Sequence, residues 1–258
     1  MKQITLKLKD GSSVHVYTAG QRNRPALLFL HGLGSTGSSF FEVLEYLRED
    51  YQLILVDMPG HGFSTKLEGS INEYTGWLHE IVIELRMDSC HIIGHSIGGD
   101  LALAYCRTYP EAVQTVVLLD GGYMRGNALP DYSLAEELEV TDKHIRTYVF
   151  SSWLDYESKL KEAGFSNKRI ELSKDTMMLE DGNVRLRVDH STALSLVKAF
   201  YDEPSSDSLK DLTRPILLLR STEPDMMNKI RRKECEYFSK YASLTVVDLH
   251  ETGHDLYG

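Results

Sequence analysis

Apolar residues fall along this chain in two kinds of pattern. Near the start, residues 4–8 and 14–17 alternate apolar with polar side chains, and Asp10-Gly11 stands between them as a hairpin turn signal. The alternation then gives way to short unbroken apolar runs at 26–30, 53–56, 91–93, 116–119, 216–219 and 244–249. Runs of that kind belong to strands buried on both faces. Between most of them, apolar positions recur at helical spacing over 39–48, 71–86, 99–109 and 227–241. Strand and helix in alternation predict an α/β fold, a mostly parallel central sheet with helices on both faces.

One interval breaks the rhythm. Residues 121–210 lie between the run at 116–119 and the run at 216–219, far more chain than a single crossover needs. They read as an inserted helical cap, with helical stretches around 133–138, 142–163, 167–178 and 191–200. The cap divides the core into residues 1–120 and 211–258.

Composition narrows the classes. With 42% hydrophobic residues in 258 the chain can bury a sizeable core, and its net charge of −10 repels nucleic acid and anionic membrane surfaces. The partner expected is a small-molecule substrate. No long apolar stretch follows the N-terminal Lys2 and Lys7, so neither secretion nor membrane insertion is expected. Cys90, Cys106 and Cys235 are odd in number and widely spaced, which suggests neither disulfides nor a zinc site and fits a cytoplasmic protein. No histidine pair has metal-ligand spacing and no glycine-rich phosphate loop opens the first crossover, so no metal and no cofactor are expected.

The chemistry concentrates at Gly94-His95-Ser96-Ile97-Gly98, between an apolar run and a helical one. A serine on a strand-to-helix elbow needs small neighbours, because the tight turn brings backbone against backbone and forces its own φ positive. The turn presents its hydroxyl at a helix start, where unpaired N–H groups face developing negative charge. Ser96 is therefore the candidate nucleophile.

Such a hydroxyl needs a base and a group to orient that base. His254, in a loop just past the last strand, is the candidate base, with His250 its rival; His31, His61, His91 and His95 read as turn or packing residues. For the acid, the loop after 216–219 offers Asp225, the leading candidate, and Glu223, while Asp120 ends the preceding strand. Asp225, shortly before the helical run at 227–241, equally suits a helix cap. An oxyanion would be held by the backbone amides of Ile97 and Leu33. Tyr123, Met124, Trp153 and Phe200 are candidate pocket residues, and the cap arginines Arg125, Arg146, Arg169, Arg185 and Arg187 candidate anion holders.

Three motifs in this order resemble the α/β-hydrolase fold superfamily, in its branch of small cytosolic serine hydrolases with a helical cap. They are His31-Gly32-Leu33-Gly34, similar to its oxyanion loop; Asp57-Met58-Pro59-Gly60-His61-Gly62-Phe63-Ser64, similar to its loop after the fourth strand; and Gly94 to Gly99, similar to its nucleophile elbow. The resemblance implies a cap between the sixth and seventh strands of the core; members usually continue past the catalytic histidine into a final helix, and this chain departs from them by stopping at Gly258, four residues beyond His254. It also implies hydrolysis of a small carboxylic ester, lactone or thioester through an acyl-serine. Lyase or C–C bond chemistry on the same triad, and a non-enzymatic small-molecule receptor, are the alternatives. The chain departs from the superfamily pattern at Ser221, where many members have glycine, and at Pro224, which crowds the two loop carboxylates.

Overall fold

The apolar runs become strands whose residues point alternately to two buried faces. In the computed structural model, which describes residues 1–130 and 132–255, the sheet strands are β1 (Lys2–Lys7), β2 (Ser13–Ala19), β3 (Ala26–Leu30), β4 (Gln52–Val56), β5 (Cys90–His95) and β6 (Val113–Leu119). Strands β7 (Val149–Phe150), β8 (Met177–Glu180) and β9 (Asn183–Leu186) stand apart, and β10 (Ile216–Ser221) and β11 (Leu244–Leu249) complete the sheet. Its order is β1-β2-β4-β3-β5-β6-β10-β11. The β1–β2 and β2–β4 pairs are antiparallel and the rest parallel.

Leu28, Leu30, Ile54, Val56 and Ile92 pack to one side, and Leu27, Phe29, Leu53, Leu55 and Ile93 to the other. Each such side chain contributes about 1.5–3 kcal/mol of burial. The first face is covered by α2 (Ile71–Glu84) and α3 (Ile97–Thr108), through Tyr74, Leu78, Ile81, Leu101 and Tyr105, with α9 (Asn228–Ser239) adding Cys235 and Phe238. Helix α2 starts where Ser70 and Glu73 form a capping box. The second face is covered by Phe40 and Leu44. The helix expected over 39–48 is instead a 3₁₀ stretch, Gly37–Val43, followed by one turn of α1 (Leu44–Leu47). Asp57 explains the tight start, since its Oδ1 accepts the N–H of Gly37 at 2.8 Å.

Between β6 and β10 lie α4 (Leu134–Thr147), α5 (Trp153–Glu162), α6 (Asn167–Ser173), α7 (His190–Phe200) and α8 (Ser206–Lys210). This region is not purely helical. Its three strands pair antiparallel as β7-β9-β8. The helix expected over 142–163 breaks at Val149 and Phe150, which join that sheet, and restarts at α5 where Ser152 accepts the N–H of Asp155. The stretch expected to stay helical to residue 178 turns into β8, because Asp181-Gly182, both at positive φ, closes a β8–β9 hairpin. Phe150, Tyr156, Ile170, Met177 and Val184 form this region's own core.

Among the described residues, no helix is long and apolar enough to cross a membrane. The chain past Asp255, where members of the superfamily continue into a final helix, lies outside the described residues.

Candidate active site

The carboxyl ends of β3, β5, β6 and β10 converge on one place, and each delivers one functional group. From β5 the chain turns directly into α3 with Ser96 at the N-cap, φ 52° and ψ −129°. That is a conformation L-residues rarely adopt, costing on the order of 1–3 kcal/mol. Close packing enforces it. A Cβ on Gly94 would lie 2.4 Å from the carbonyl oxygen of Gly98, and one on Gly98 would lie 2.4 Å from that of Leu30. Ile97 is the first residue of α3, so its N–H has no acceptor four residues back in the helix.

The loop after β3 passes beside the serine, close enough that a Cβ on Gly32 would sit 3.2 Å from Ser96 Cβ. Two buried histidines hold it. His61 Nε2 accepts the N–H of Gly34 at 3.0 Å, which places its proton on Nδ1, the donor to Pro59 O at 2.8 Å. His31 Nε2 likewise accepts the N–H of Met58 at 2.8 Å while Nδ1 donates to Gly32 O at 2.7 Å. Burial pushes His61 down to about 4 and His31 well below the usual imidazole range, so both are neutral at pH 7, as these bonds require. These residues do turn on packing, as the sequence suggested, but what they pack is the loop carrying Leu33.

The acid is where the structure departs from expectation. Asp225 is exposed at the start of a short 3₁₀ turn leading into α9, and its Oδ1 accepts from Asn228 Nδ2 at 3.0 Å. It neither orients His254 nor caps a backbone N–H; it holds the Asn228 side chain at the start of α9. Glu223 is also exposed. Their loop reaches the His254 loop through backbone, with the N–H groups of Thr222 and Glu223 donating to Thr252 O. Asp120, at the end of β6, is the carboxylate that meets the imidazole, with His254 Nδ1 2.9 Å from Asp120 Oδ2. Asp120 is buried and sits at φ 42°. Burial works to raise its pKa, but hydrogen bonds from His254 and Ser221 outweigh it and hold the carboxyl below its ordinary value.

His254 is held at its backbone as well, because His95 Nε2 donates to His254 O at 2.9 Å and the two rings lie 4.8 Å apart. Burial lowers His95 to about 4. The sequence placed His95 in a turn without this strut. His250, the rival base, is exposed at the end of β11 beside Arg220 and Asp248, away from Ser96.

Ser96 and His254 together line two cavities, without a hydrogen bond between their side chains. The larger, about 370 Å³, is mainly apolar and includes Tyr123, Met124 and Phe200, as expected, together with Leu33 and Ile97. Trp153 is absent from both cavities. It packs edge-on against Tyr156 with ring centres 5.9 Å apart, in the core of the β7–β9 region. Asp100 and Arg231 also line the larger cavity, and the sequence offered no signal for either beyond their helices. The smaller cavity, about 290 Å³, is lined by Ser35, Ser38, Ser39, Ser173 and Thr176, with Arg169. Of the five cap arginines only Arg169 lines either of these two cavities; Arg125, for instance, is committed to Glu234 at 2.8 and 3.0 Å.

A strained serine at a helix N-terminus, an adjacent imidazole on a buried carboxylate and a glycine loop beside them suit nucleophilic acyl transfer. Comparison with known proteins agrees at the level of family. Residues 25–207 match the alpha/beta hydrolase fold family, and the chain belongs to it. The protein is thus an enzyme of the hydrolase kind.

The chain is 24% identical over 249 residues to an (E)-2-((N-methylformamido)methylene)succinate hydrolase of Acinetobacter baylyi, covering 95% of this chain and 89% of that one. A shorter match, 37% over 106 residues, links 41% of the chain to 40% of a pimeloyl-[acyl-carrier protein] methyl ester esterase of Aeromonas salmonicida. Among solved structures, an E-2-(acetamidomethylene)succinate hydrolase superposes with a TM-score of 0.76 at 20% identity, over 98% of this chain and 92% of that one. A thioesterase domain from a curacin biosynthetic pathway gives 0.73 at 19%, over 100% and 94%.

Proposed function

We propose that the protein is a serine hydrolase that cleaves a small carboxylic ester, lactone or thioester through an acyl-Ser96 intermediate. The observation that carries this reading is the His254–Asp120 bond of 2.9 Å beside a serine held at φ 52°. Asp120 fixes the tautomer with the proton on Nδ1, which leaves Nε2 free to take the Ser96 proton as the hydroxyl attacks the substrate carbonyl. The N–H groups of Ile97 and Leu33 receive the oxyanion. Collapse of the tetrahedral intermediate expels the alcohol or thiol, protonated by His254. Water, deprotonated by the same imidazole, then releases the acid.

The choice of substrate follows the cavities. Both are mainly apolar and both reach Ser96, so one can take the acyl portion and the other the alcohol or thiol portion, with Arg169 and a row of hydroxyls marking the smaller. The activities of the relatives, a methyl ester esterase and a thioesterase domain among them, support ester or thioester cleavage. In this reading residues 121–210 form a cap over a core of 1–120 and 211–258. The three cysteines, buried and unpaired, suit a reducing compartment, and the enzyme is placed in the cytoplasm.

The test is incubation with a fluorophosphonate followed by mass spectrometry, alongside turnover of short and long p-nitrophenyl esters. One adduct, on Ser96, is expected, together with ester turnover that disappears in Ser96→Ala. Full esterase activity in that variant would remove the mechanism.

A further inference from the structure

The carboxylate of Asp120 is gripped from three sides, only one of which is the imidazole. Its Oδ1 accepts the Tyr123 hydroxyl at 3.1 Å and the N–H of Ser221 at 3.1 Å, and its Oδ2 accepts the Ser221 hydroxyl at 2.6 Å as well as His254 Nδ1. Ser221 is wholly buried and Tyr123 nearly so. Among the described residues neither hydroxyl donates to any other acceptor, so both are spent on this one anion. The backbone leading to it is equally fixed, since Asp120 N–H donates to Leu219 O at 2.9 Å and Ser96 N–H to Leu119 O at 3.2 Å.

We infer that Ser221 and Tyr123 are positioning residues of the reaction: they hold Asp120 ionised and aimed at His254, so that β10 contributes the donors for an acid carried by β6. The inference rests on the triad proposed above. A buried carboxylate keeps its charge only when donors replace the lost water, and an oxygen shared between one hydroxyl and one imidazole has its direction set by both. Removing a donor makes the anion less stable and the Asp120–His254 pair more avid for a proton. His254 then stays protonated to higher pH, and the base needed to activate Ser96 is scarcer.

The test measures kcat/KM against pH with a p-nitrophenyl ester for wild type, Ser221→Ala, Tyr123→Phe and Ser221→Thr, and follows the His254 ring protons by NMR titration in the same proteins. For Ser221→Ala the expected result is an acid limb and a His254 titration both moved upward by about one pH unit, with kcat/KM down about ten- to a hundredfold at pH 7. Tyr123→Phe, whose ring still fills its site, moves both the same way by less, and Ser221→Thr, which keeps the hydroxyl, restores both toward wild type. An unmoved titration in Ser221→Ala, or lost activity with an unmoved acid limb, overturns the inference. The NMR titration needs no turnover. If the wild type cleaves no ester but the His254 titration still moves, the function reading fails and the positioning survives.

Discussion

The proposed nucleophile and the proposed acid sit at the ends of adjacent strands, yet they are fixed in different ways. Ser96 is placed by its own neighbours in sequence: Gly94 and Gly98 permit a backbone approach that a Cβ at either would block at 2.4 Å. Apart from Tyr123 three residues on, Asp120 is placed by residues a hundred or more positions away, Ser221 from β10 and His254 from the loop beyond β11. The first kind of placement is written locally and the second is written in strand order. Once β10 pairs with β6, with Leu219 beside Leu119, Ser221 at the end of β10 is thrown against Asp120 just past the end of β6. A carboxylate on either strand could then serve the same histidine, and the residue on the other strand becomes its donor.

The contrast can be broken at the serine first. Ser96→Ala should lower kcat by on the order of 10⁶-fold while thermal melting stays near or above that of wild type, because the strained position loses little by losing the hydroxyl. Gly98→Ala tests the local side through stability. The new methyl meets the Leu30 carbonyl at 2.4 Å, and a loss of about 1–3 kcal/mol or more is expected by denaturant melting, with esterase activity falling alongside.

Acid should loosen the loop that carries Leu33. His61 is about 4 when folded against 6.5 unfolded, so the unfolded chain binds the proton first and stability declines as pH drops below about 6.5. That histidine alone accounts for up to about 3 kcal/mol by pH 4. His31 and His95 act in the same direction. Asp57, raised to about 6 by burial, acts in the opposite one: the folded state takes up its proton before the unfolded chain does, which offsets part of the loss between pH 6 and 4. Melting temperature should therefore fall from pH 7 to 4.5, and a flat profile would contradict neutral buried histidines. The smallest effect is expected at Trp153→Phe, a residue outside both cavities, where kcat/KM should stay within about twofold.

Much of this was legible in the sequence, for identifiable reasons. The doubly buried strands were visible as unbroken apolar runs, and the elbow as two glycines around a serine between a strand and a helix. The candidate base was visible because His254 stands in a loop several residues past the last strand, whereas His250 abuts the strand's end. The β7–β9 sheet was missed because Val149-Phe150 is too short a run to outweigh the helical pattern around it, although Asp181-Gly182 carried the same turn signal as Asp10-Gly11. Asp225 was preferred because it follows β10 in a loop rich in carboxylates, and that loop proved to bind the His254 segment through its amides. Ser221, noted only as a departure from the superfamily pattern, held the relevant information: a hydroxyl there donates to a carboxylate on the neighbouring strand.

The most direct measurement is a paired one, kcat/KM of Asp120→Asn and Asp225→Asn on the same p-nitrophenyl ester at pH 7. If Asp120 orients His254, the first falls by on the order of 10³- to 10⁴-fold, through loss of the productive tautomer, and the second stays within about threefold of wild type. An Asp120→Asn enzyme that keeps its activity while Asp225→Asn loses it would contradict the triad.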